Sequence, residues 1–374
     1  MDKLRQFLKE DPSHTLWEYL KETSKPIMIY GMGDGAEKII TVLEKKGIEY
    51  KDIFASDGFV RGHSFRGKRV KSFSEIKEQY ENFIILLSFA SKQPETVQML
   101  HDLSEKYELY APDVNVSGDY TEVFDREYYE KHANELSEAF SLFEQEAKEI
   151  FALTVDFKIS GKLCYLKEID RHLKPCGSYY NMSGVYSYID LGAYNGDTLK
   201  NAMEIYPNLT SAYAVEPDEK NFRKLSAYAD TLDIDVHVYN NAAWNDICEL
   251  TLHMGFGMNT TLGNIGNGMQ KKKDKIVKTI TADSITQSAD VVKYDVEGSE
   301  CEALEGTRRI ITEHNPVLIV SVYHNNNDLY RLPLLINSYG KYKFHLNRKP
   351  CIPAWELEII AVSEKHGIKE TKNV

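Results

Sequence analysis

Residues 188–198, YIDLGAYNGDT, decide which fold the C-terminal half of the chain adopts. Residues 188–191 are a short apolar run typical of a buried strand, and a helical pattern of apolar residues begins at Leu199. Gly192 and Gly196 lie between the two, where glycine lets the backbone adopt positive φ or pass close to a ligand. The segment therefore resembles the start of a nucleotide-binding βαβ unit, although an ordinary turn between strand and helix would look similar.

The residues that follow indicate a parallel sheet with a binding crevice at its carboxyl edge. Apolar strand candidates occur at 212–215, 236–238, 291–294 and 316–322, and helical segments separate most of them. Glu216 directly follows the first of these strands, where an acidic side chain can accept the two hydroxyls of an adenosine ribose. NAD would be held in the same way, so Glu216 alone leaves the choice between adenosine cofactors open.

Five motifs in this half resemble those of the FkbM family of methyltransferases. They are DLGAYNGDT (190–198), AVEPDEKNFRKL (214–225), NAAW (241–244), KYDVEGSECEALEG (293–306) and SVYHNNNDLYRLP (321–333). The resemblance covers roughly residues 150–362. It implies a Rossmann-like class I domain that transfers a methyl group from S-adenosylmethionine to an oxygen, commonly a hydroxyl of a sugar or of a polyketide-type compound.

The resemblance also implies roles for individual residues. Asp190, Gly192 and Gly196 would shape the cofactor loop, Asp197 would lie near the methionine part, and Glu216 would hold the ribose. Asn241 and Ala242 would lie beside the adenine. The full set expected to contact the cofactor is Asp190, Gly192, Ala193, Tyr194, Asn195, Gly196, Asp197, Thr198, Glu216, Asn241, Ala242 and Asp295.

Three side chains are candidates for the catalytic step. Asp295 and Glu297 follow the strand at 291–294, and His324 follows the next strand, so all three belong to the expected crevice. A hydroxyl is a poor nucleophile at neutral pH and benefits from a base or a metal ion. His324 could act as the base or merely orient another group, and Asp295 could be the base, a metal ligand or a support for the cofactor. The three could also bind a divalent cation, which is the less favoured hypothesis.

The N-terminal region predicts a second, smaller α/β domain. An apolar run at 26–30 leads into Gly31, Gly33 and Ala36, and Asp57 ends a second apolar run, which is the pattern of a dinucleotide fingerprint. The pattern also resembles the N-terminal domains of sugar-modifying enzymes that bind a nucleotide-sugar. We therefore expect Gly31, Gly33 and Asp57 to contact the acceptor, with a ligand-free structural or dimerisation domain as the alternative. A short amphipathic helix is expected before it, at about 2–22.

The division of the chain follows from these patterns. Residues 120–160 contain neither glycine nor proline and show helical spacing of large apolar residues, which predicts a helical connector that packs on the second domain. The expected fold class is α/β, with two Rossmann-like doubly wound domains. These are an N-terminal domain at 1–118, a helical connector at 119–180 and a methyltransferase domain at 181–374.

Composition narrows the function further. A net charge of −12 argues against a nucleic-acid partner, and neither a signal peptide nor a membrane span is visible, so we expect a cytoplasmic protein. The five cysteines include no C-x-x-C pair, which argues against zinc and a disulfide framework. The leading hypothesis is an O-methyltransferase acting on a sugar, nucleotide-sugar or glycan precursor, with a homodimer as one candidate assembly. The alternatives are an NAD-dependent oxidoreductase and a non-catalytic nucleotide-sugar-binding protein.

Overall fold

The N-terminal part is built on a five-stranded parallel sheet. The computed structural model describes residues 3–60, 62–254, 260–262 and 275–368. The elements of this part are α1 (Leu16–Glu22), β1 (Ile27–Tyr30), α2 (Asp34–Lys46), β2 (Asp52–Ala55), β3 (Ser64–Phe65), β4 (Lys68–Arg69), β5 (Lys71–Ser72), α3 (Phe73–Gln79), β6 (Ile84–Leu87), α4 (Pro94–Lys106) and β7 (Glu108–Tyr110). The sheet order is β5-β2-β1-β6-β7, and β3 and β4 form a separate hairpin.

The burial of the strands matches their central or edge positions in the sheet. All four residues of β1 and all four of β6 are buried, as expected for central strands covered by helices on both faces. The helix α2 ends at Gly47, which adopts the left-handed conformation with φ of 68°. The strand, turn and helix predicted around residues 26–47 are therefore confirmed.

The prediction of a helix at about 2–22 is wrong for the first half of that range. The structure has a 3-10 turn at Leu4–Gln6, and the α-helix begins only after Thr15. Between them the backbone N–H groups of Lys9 and Glu10 donate to the carboxylate of Asp156, and Pro12 has no N–H to offer a helix. Tertiary bonds to Asp156 therefore replace the local helical bonds that the apolar spacing predicted.

Three helices connect this sheet to the next one. They are α5 (Arg126–Leu142), α6 (Gln145–Ser160) and α7 (Leu163–Ile169). The helix α6 is buried along most of its length and packs on the second sheet, where the N–H of Glu144 donates to the carbonyl of Phe344 at 2.9 Å. At its other end the carbonyl of Gly161 accepts from Ala111 at 2.8 Å. The connector is thus a packed layer between the two sheets and not a free linker.

The C-terminal part contains a seven-stranded sheet. Its elements are β8 (Ser187–Leu191), α8 (Asp197–Ile205), β9 (Ser211–Val215), α9 (Glu219–Ala229), β10 (Asp235–Tyr239), β11 (Ala242–Ala243), β12 (Glu249–Met254), β13 (Thr260–Leu262), β14 (Lys275–Ile280), α10 (Ala282–Ile285), β15 (Val291–Tyr294), α11 (Glu300–Glu305), α12 (Arg308–His314), β16 (Val317–Ser321), α13 (Asp328–Tyr339), β17 (Lys343–Arg348) and β18 (Leu357–Val362). The order is β10-β9-β8-β15-β16-β18-β17, and β18 alone runs opposite to the other six strands of this sheet.

The expected α/β class with parallel sheets is confirmed, but two details differ. The strand β17 shows alternating burial, as an edge strand does, and closes the sheet as an antiparallel pair with β18. The strands β11, β14, β12 and β13 form a separate four-stranded sheet that the apolar pattern did not predict. The segment at 255–274 lies outside the described residues except for β13. In the described ranges, none of the helices has the length and apolarity needed to cross a membrane.

Candidate active site

A crevice of about 300 Å³ opens at the carboxyl ends of β8, β9 and β15. This is the edge at which ligands bind in open α/β sheets. Its lining comes from eight segments of the chain: Lys92, Val116, Gly192, Tyr194, Asp197, Thr198, Glu216, Pro217, Asp218, Asn221, Ala242, Ala243, Lys293, Asp295, Val296, Glu297, Tyr323, Lys349, Trp355, Glu356 and Glu358. Seven of the residues expected at the cofactor are among them.

Gly192 allows the loop after β8 to pass against the loop after β15. Its φ is +83°, and a Cβ at this position would lie 1.9 Å from the carbonyl oxygen of Asp295. The N–H groups of Gly192 and Ala193 both donate to the carbonyl of Val215 at 3.0 Å. Only glycine fits this approach, so the first glycine of the motif has a structural requirement as well as an expected role at the cofactor.

Glu216 is buried and turned toward the loop after β8. Its two carboxylate oxygens accept the N–H of Tyr194 at 2.9 Å and that of Asp218 at 2.8 Å. Burial raises the pKa of Glu216 to about 7, although these hydrogen bonds oppose the shift. A carboxylate fixed in this way can accept further bonds from ligand hydroxyls, since each oxygen has a second lone pair. The geometry fits the ribose contact that was expected.

Asp190 lies beneath the crevice and does not line it. Its carboxylate accepts a hydrogen bond from the hydroxyl of Thr198, and Nζ of Lys293 is 3.7 Å from the other oxygen. Burial raises the pKa of Asp190, while the charge of Lys293 opposes that shift. Asp190 therefore shapes the loop from below and holds Lys293 in place.

The remaining cofactor candidates differ in whether they line the crevice. Tyr194, Asp197, Thr198 and Ala242 line it, whereas Ala193 and Gly196 are buried and do not. Asn195 and Asn241 are half-buried and do not line it, and the amide of Asn241 is turned to the carbonyl of Thr279 at 3.4 Å. The contact of Asn241 with adenine stays a prediction, and Ala243, which was not expected, lines the crevice beside Ala242.

The three catalytic candidates converge as expected. Nε2 of His324 is 3.6 Å from Oδ1 of Asp295 and 3.4 Å from Oε2 of Glu297. On the other side of the ring, Nδ1 is 3.0 Å from Oε1 of Glu300. His324 and the carboxyl group of Glu300 are fully buried, while Asp295 and Glu297 face the crevice. The four side chains form what we call the acidic cluster.

The acidic cluster shifts the pKa values of its members. Burial by itself lowers the pKa of His324, but the carboxylates of Glu300, Glu297 and Asp295 outweigh it and raise that pKa to about 10. Burial raises the pKa of Glu297 to about 7. For Asp295, burial is outweighed by the charges of Lys293 and His324, which hold its pKa below the usual value. An imidazole that already carries a proton cannot accept another, so these shifts favour Glu297 over His324 as a proton acceptor.

Backbone strain is concentrated around the crevice. Five non-glycine residues in the described ranges have positive φ, and three of them line the crevice: Tyr194 (48°), Glu297 (55°) and Glu356 (62°). Such conformations cost about 1–3 kcal/mol each and persist where the surrounding structure enforces them. Glu297 is therefore held toward His324 by its loop, and Gly298 follows it with φ of +98°.

Several lining residues were missed by sequence reasoning. Trp355 and Glu356 follow the Ile352–Pro353 peptide, which is cis, and Lys92 comes from the N-terminal part. Lys92 and Lys349 both pair with the carboxylate of Glu356. Lys293, which also lines the crevice, could have been found from the sequence because it lies inside the motif at 293–306. Nothing in the sequence around Lys92 or Trp355 indicates that they line the crevice.

The end of the N-terminal part is hydrogen-bonded to the loop that carries His324. The N–H groups of Val116 and Ser117 both donate to the carbonyl of His324, at 2.8 and 3.2 Å. Asn326 donates its N–H to the side chain of Asn115 at 2.8 Å, and its own side chain accepts from Nζ of Lys158 at 3.0 Å. The asparagine run after His324 therefore joins the loop that carries His324 to the end of the N-terminal part and to α6.

A second crevice, of about 220 Å³, lies at the carboxyl edge of the N-terminal sheet. It is lined by the start of α2, by residues 87–90 after β6 and by residues 111–116, and it shares Val116 and Trp355 with the first crevice. The N-terminal fingerprint residues are not among its lining. A Cβ at Gly31 would lie 2.7 Å from the hydroxyl of Ser88, so this glycine serves close packing.

The other two fingerprint residues are solvent-exposed. Gly33 has open space around it, and the carboxylate of Asp57 accepts from the N–H and the hydroxyl of Ser74 at 3.0 and 2.6 Å. Asp34 and Glu37 lie in the first turn of α2, where their charge disfavours a pyrophosphate. The structure does not bring Gly31, Gly33 and Asp57 together around a crevice.

Comparison with known proteins agrees with this geometry. The model of the family described as methyltransferase FkbM domain matches residues 190–342, which include the loop after β8 and the acidic cluster. These residues therefore form a methyltransferase domain of the FkbM type, and through that domain the chain is an S-adenosylmethionine-dependent methyltransferase.

Solved structures place the fold of this methyltransferase among known ones. Methyltransferase FkbM from Methylobacillus flagellatus KT is 18% identical, with a TM-score of 0.63 over 91% of this chain and 90% of that one. Fibrillarin from Aeropyrum pernix with natively bound S-adenosyl-L-methionine (12% identity, 48% and 67% coverage) and a SAM-dependent methyltransferase from Aquifex aeolicus (11%, 52% and 97%) have TM-scores of only 0.28 and 0.29. No curated protein matches the chain significantly.

Proposed function

We propose that this methyltransferase methylates a hydroxyl of a sugar, nucleotide-sugar or glycan precursor. The observation that carries the proposal is the acidic cluster, which puts Glu297, a carboxyl group with a pKa of about 7, into the crevice that Glu216 also lines. A carboxyl group poised near neutral pH can take the proton of a hydroxyl as the oxygen attacks.

The cofactor is assigned to the first crevice. Glu216 accepts the ribose hydroxyls, Gly192 and Tyr194 pass along the amino-acid part, and Ala242 faces the adenine. The donor is already activated as a sulfonium, so the protein has to position the methyl group against the acceptor oxygen and keep water out. One C–S bond breaks, one C–O bond forms, and the hydroxyl proton moves to a carboxylate of the acidic cluster.

The acceptor is assigned to the region where the two crevices meet. Trp355 and Val116 line both, so an acceptor held over the N-terminal sheet could extend a hydroxyl toward Glu297. An aromatic face together with carboxylates suits a polyhydroxylated ring, since the ring offers apolar C–H groups and hydrogen-bond donors. The carboxylates at the start of α2 favour a neutral part of the acceptor there over its phosphates.

Calorimetry and product analysis test this proposal. S-adenosylmethionine should bind the purified chain, NAD should not, and a panel of UDP- and GDP-sugars should include a substrate that gains one methyl group by mass spectrometry. Glu297→Gln should leave cofactor binding intact and lower the rate at least tenfold, because a positioned base contributes a factor of about 10²–10⁴. Methyl transfer to a nitrogen or carbon atom, or an unchanged rate in Glu297→Gln, would contradict it.

The same calorimetry also tests the two alternative functions. An NAD-dependent oxidoreductase would show heat with NAD, and a nucleotide-sugar-binding protein would bind the sugar without turnover. The domain division at 118 and 180, the cytoplasmic location, the homodimer and the lack of nucleic-acid binding also belong to this proposal. Light scattering and an electrophoretic mobility assay with RNA and DNA would test the last two.

A further inference from the structure

The second crevice differs from the first in the chemistry of its walls. Ten of its fifteen lining residues are apolar, whereas seven carboxylates line the first crevice. Ile39 and Leu87 are buried, and Phe89, Val114 and Trp355 are half-buried and keep apolar surface exposed. Burial of apolar surface is favourable roughly in proportion to its area, so these walls favour an apolar ligand group.

The polar side chains of the second crevice are already hydrogen-bonded within the chain. The hydroxyl of Ser88 donates to the carbonyl of Tyr30 at 2.8 Å. The amide of Asn115 donates to the carbonyl of Asp119 and accepts the N–H of Asn326, both at 2.8 Å. A polar ligand group that loses its water needs new hydrogen bonds in exchange, and Ser88 and Asn115 are already committed to bonds of their own.

The two charged residues of the second crevice neutralise each other. Nζ of the buried Lys38 is 3.1 Å from Oδ2 of Asp34, and it donates a hydrogen bond to the carbonyl of Val116 at 2.7 Å. The pair carries no net charge, so it gives no net attraction for a phosphate or for a cation. The second crevice therefore selects a ligand by apolar area and shape.

The two crevices share part of their walls, at Val116 and Trp355. A ligand that reaches into both must therefore be polar at the end that faces Glu297 and apolar at the other end. The second crevice has a volume of about 220 Å³. An apolar cavity of roughly 150 Å³ binds benzene, so the second crevice has room for one ring or for a chain of about six carbon atoms.

We propose that the second crevice binds an apolar substituent of the sugar acceptor, of the alkyl, acyl or aryl class, while the sugar hydroxyl lies in the first crevice. The substituent packs on the half-buried side chains of Phe89, Val114 and Trp355 and covers their exposed apolar surface. The inference rests on the proposed function, and it narrows the acceptor to a sugar that carries an apolar group close to the hydroxyl that is methylated.

Calorimetry with n-alkyl glucosides, from methyl to hexyl, tests this inference without turnover. The full chain is titrated with and without S-adenosylhomocysteine, which has no methyl group to transfer. Burial of one methylene group strengthens binding about fourfold, so the dissociation constant should fall by about that factor with each added carbon atom. A dissociation constant that is independent of chain length would overturn the inference, and so would a lack of binding by the hexyl compound.

Variants that fill the second crevice show where the alkyl chain binds. Val114→Phe and Ala90→Phe each add a ring to its wall, so the dissociation constant should no longer fall with chain length. Ala90 is solvent-exposed and tolerates a larger side chain even where Val114→Phe does not fold. Val60→Phe is the matched control and should keep the fourfold steps, because Val60 is half-buried against the same apolar core as Val114 but does not line the crevice.

The outcomes separate this inference from the proposed function. If the fourfold steps are absent in wild type, or persist in a filled variant that circular dichroism shows to be folded, the apolar site is refuted. Methylation of a UDP- or GDP-sugar would then still support the proposed function. If the steps appear in wild type and disappear in the filled variants, but no sugar hydroxyl is methylated, the apolar site stands and the proposed function fails.

Discussion

The protonation state of Glu216 should control how tightly the methyltransferase holds its cofactor. Burial raises the pKa of this carboxyl group to about 7 in the cofactor-free protein, and its oxygens also accept the N–H groups of Tyr194 and Asp218. In the proposed binding mode the ribose hydroxyls donate to the carboxylate, so the cofactor should bind the deprotonated form. Affinity should therefore be greatest above pH 7 and should fall as the pH drops below 7.

The size of the effect follows from the pKa. Below pH 7 each pH unit makes the deprotonated form about tenfold rarer, which corresponds to about 1.4 kcal/mol of binding free energy. The dissociation constant of S-adenosylmethionine at pH 6 should thus be about tenfold higher than at pH 8. Calorimetry at half-unit steps from pH 5.5 to 8.5, in buffers of different ionisation enthalpy, measures both the affinity and the proton released on binding.

Two variants isolate the contribution of Glu216. Glu216→Gln keeps the shape but cannot ionise, so its affinity should be lower throughout and nearly flat between pH 6 and 8. The amino group of the cofactor titrates alike in both proteins and cancels in the comparison. Glu297 also has a pKa of about 7, so Glu297→Gln serves as a second control and should retain the wild-type slope. An equal slope in wild type and Glu216→Gln would refute the reasoning.

Three further predictions concern other parts of the molecule. Gly192→Ala forces a Cβ to within 1.9 Å of a carbonyl oxygen, so it should lower the free energy of unfolding by about 1–3 kcal/mol or more and abolish cofactor heat, whereas Gly58→Ala, in open space, should unfold like wild type in urea. Asn326→Ala removes a buried partner of Lys158 and should destabilise the chain by about 1–3 kcal/mol in the same assay; a change below 0.5 kcal/mol would contradict it. Trp355→Ala should raise the KM for the acceptor and leave the dissociation constant of S-adenosylmethionine unchanged; the reverse would assign Trp355 to the cofactor.

The sequence predicted those residues of the site whose positions depend on the local backbone, in a tight turn or at the end of a strand. The turn after β8 needs glycine at 192 because of a close backbone approach, and the strand before it is an uninterrupted apolar run. The position of Glu216 could be predicted because it is the residue directly after β9, and a residue at a strand end lies at the sheet edge. The convergence of Asp295, Glu297 and His324 was predicted for the same reason.

The rest could not be predicted because it depends on contacts between distant segments. Glu300 was not among the catalytic candidates, and its position opposite Nδ1 of His324 requires the register of β15 against β16. Trp355 and Lys92 reach the crevice only because the chain after β17 folds back along the N-terminal sheet, where Ser91 and Ile352 are hydrogen-bonded to each other. The N-terminal glycine pattern has a packing explanation of its own, since a Cβ at Gly31 would lie 2.7 Å from the hydroxyl of Ser88, and its contact with the acceptor stays a prediction.

The position of His324 links the two halves of the molecule. Its carbonyl accepts two N–H groups from Val116 and Ser117, and its ring faces three carboxylates of the methyltransferase domain. A Cβ at Gly298 would lie 2.0 Å from the hydroxyl of Ser117, so the loop that carries Glu297 is fitted closely against the same segment. Removing the N-terminal part would therefore leave the His324 carbonyl without these bonds and the Glu297 loop without its support. The contacts of Val116 and Ser117 therefore support the geometry of the acidic cluster, independently of any part in acceptor binding.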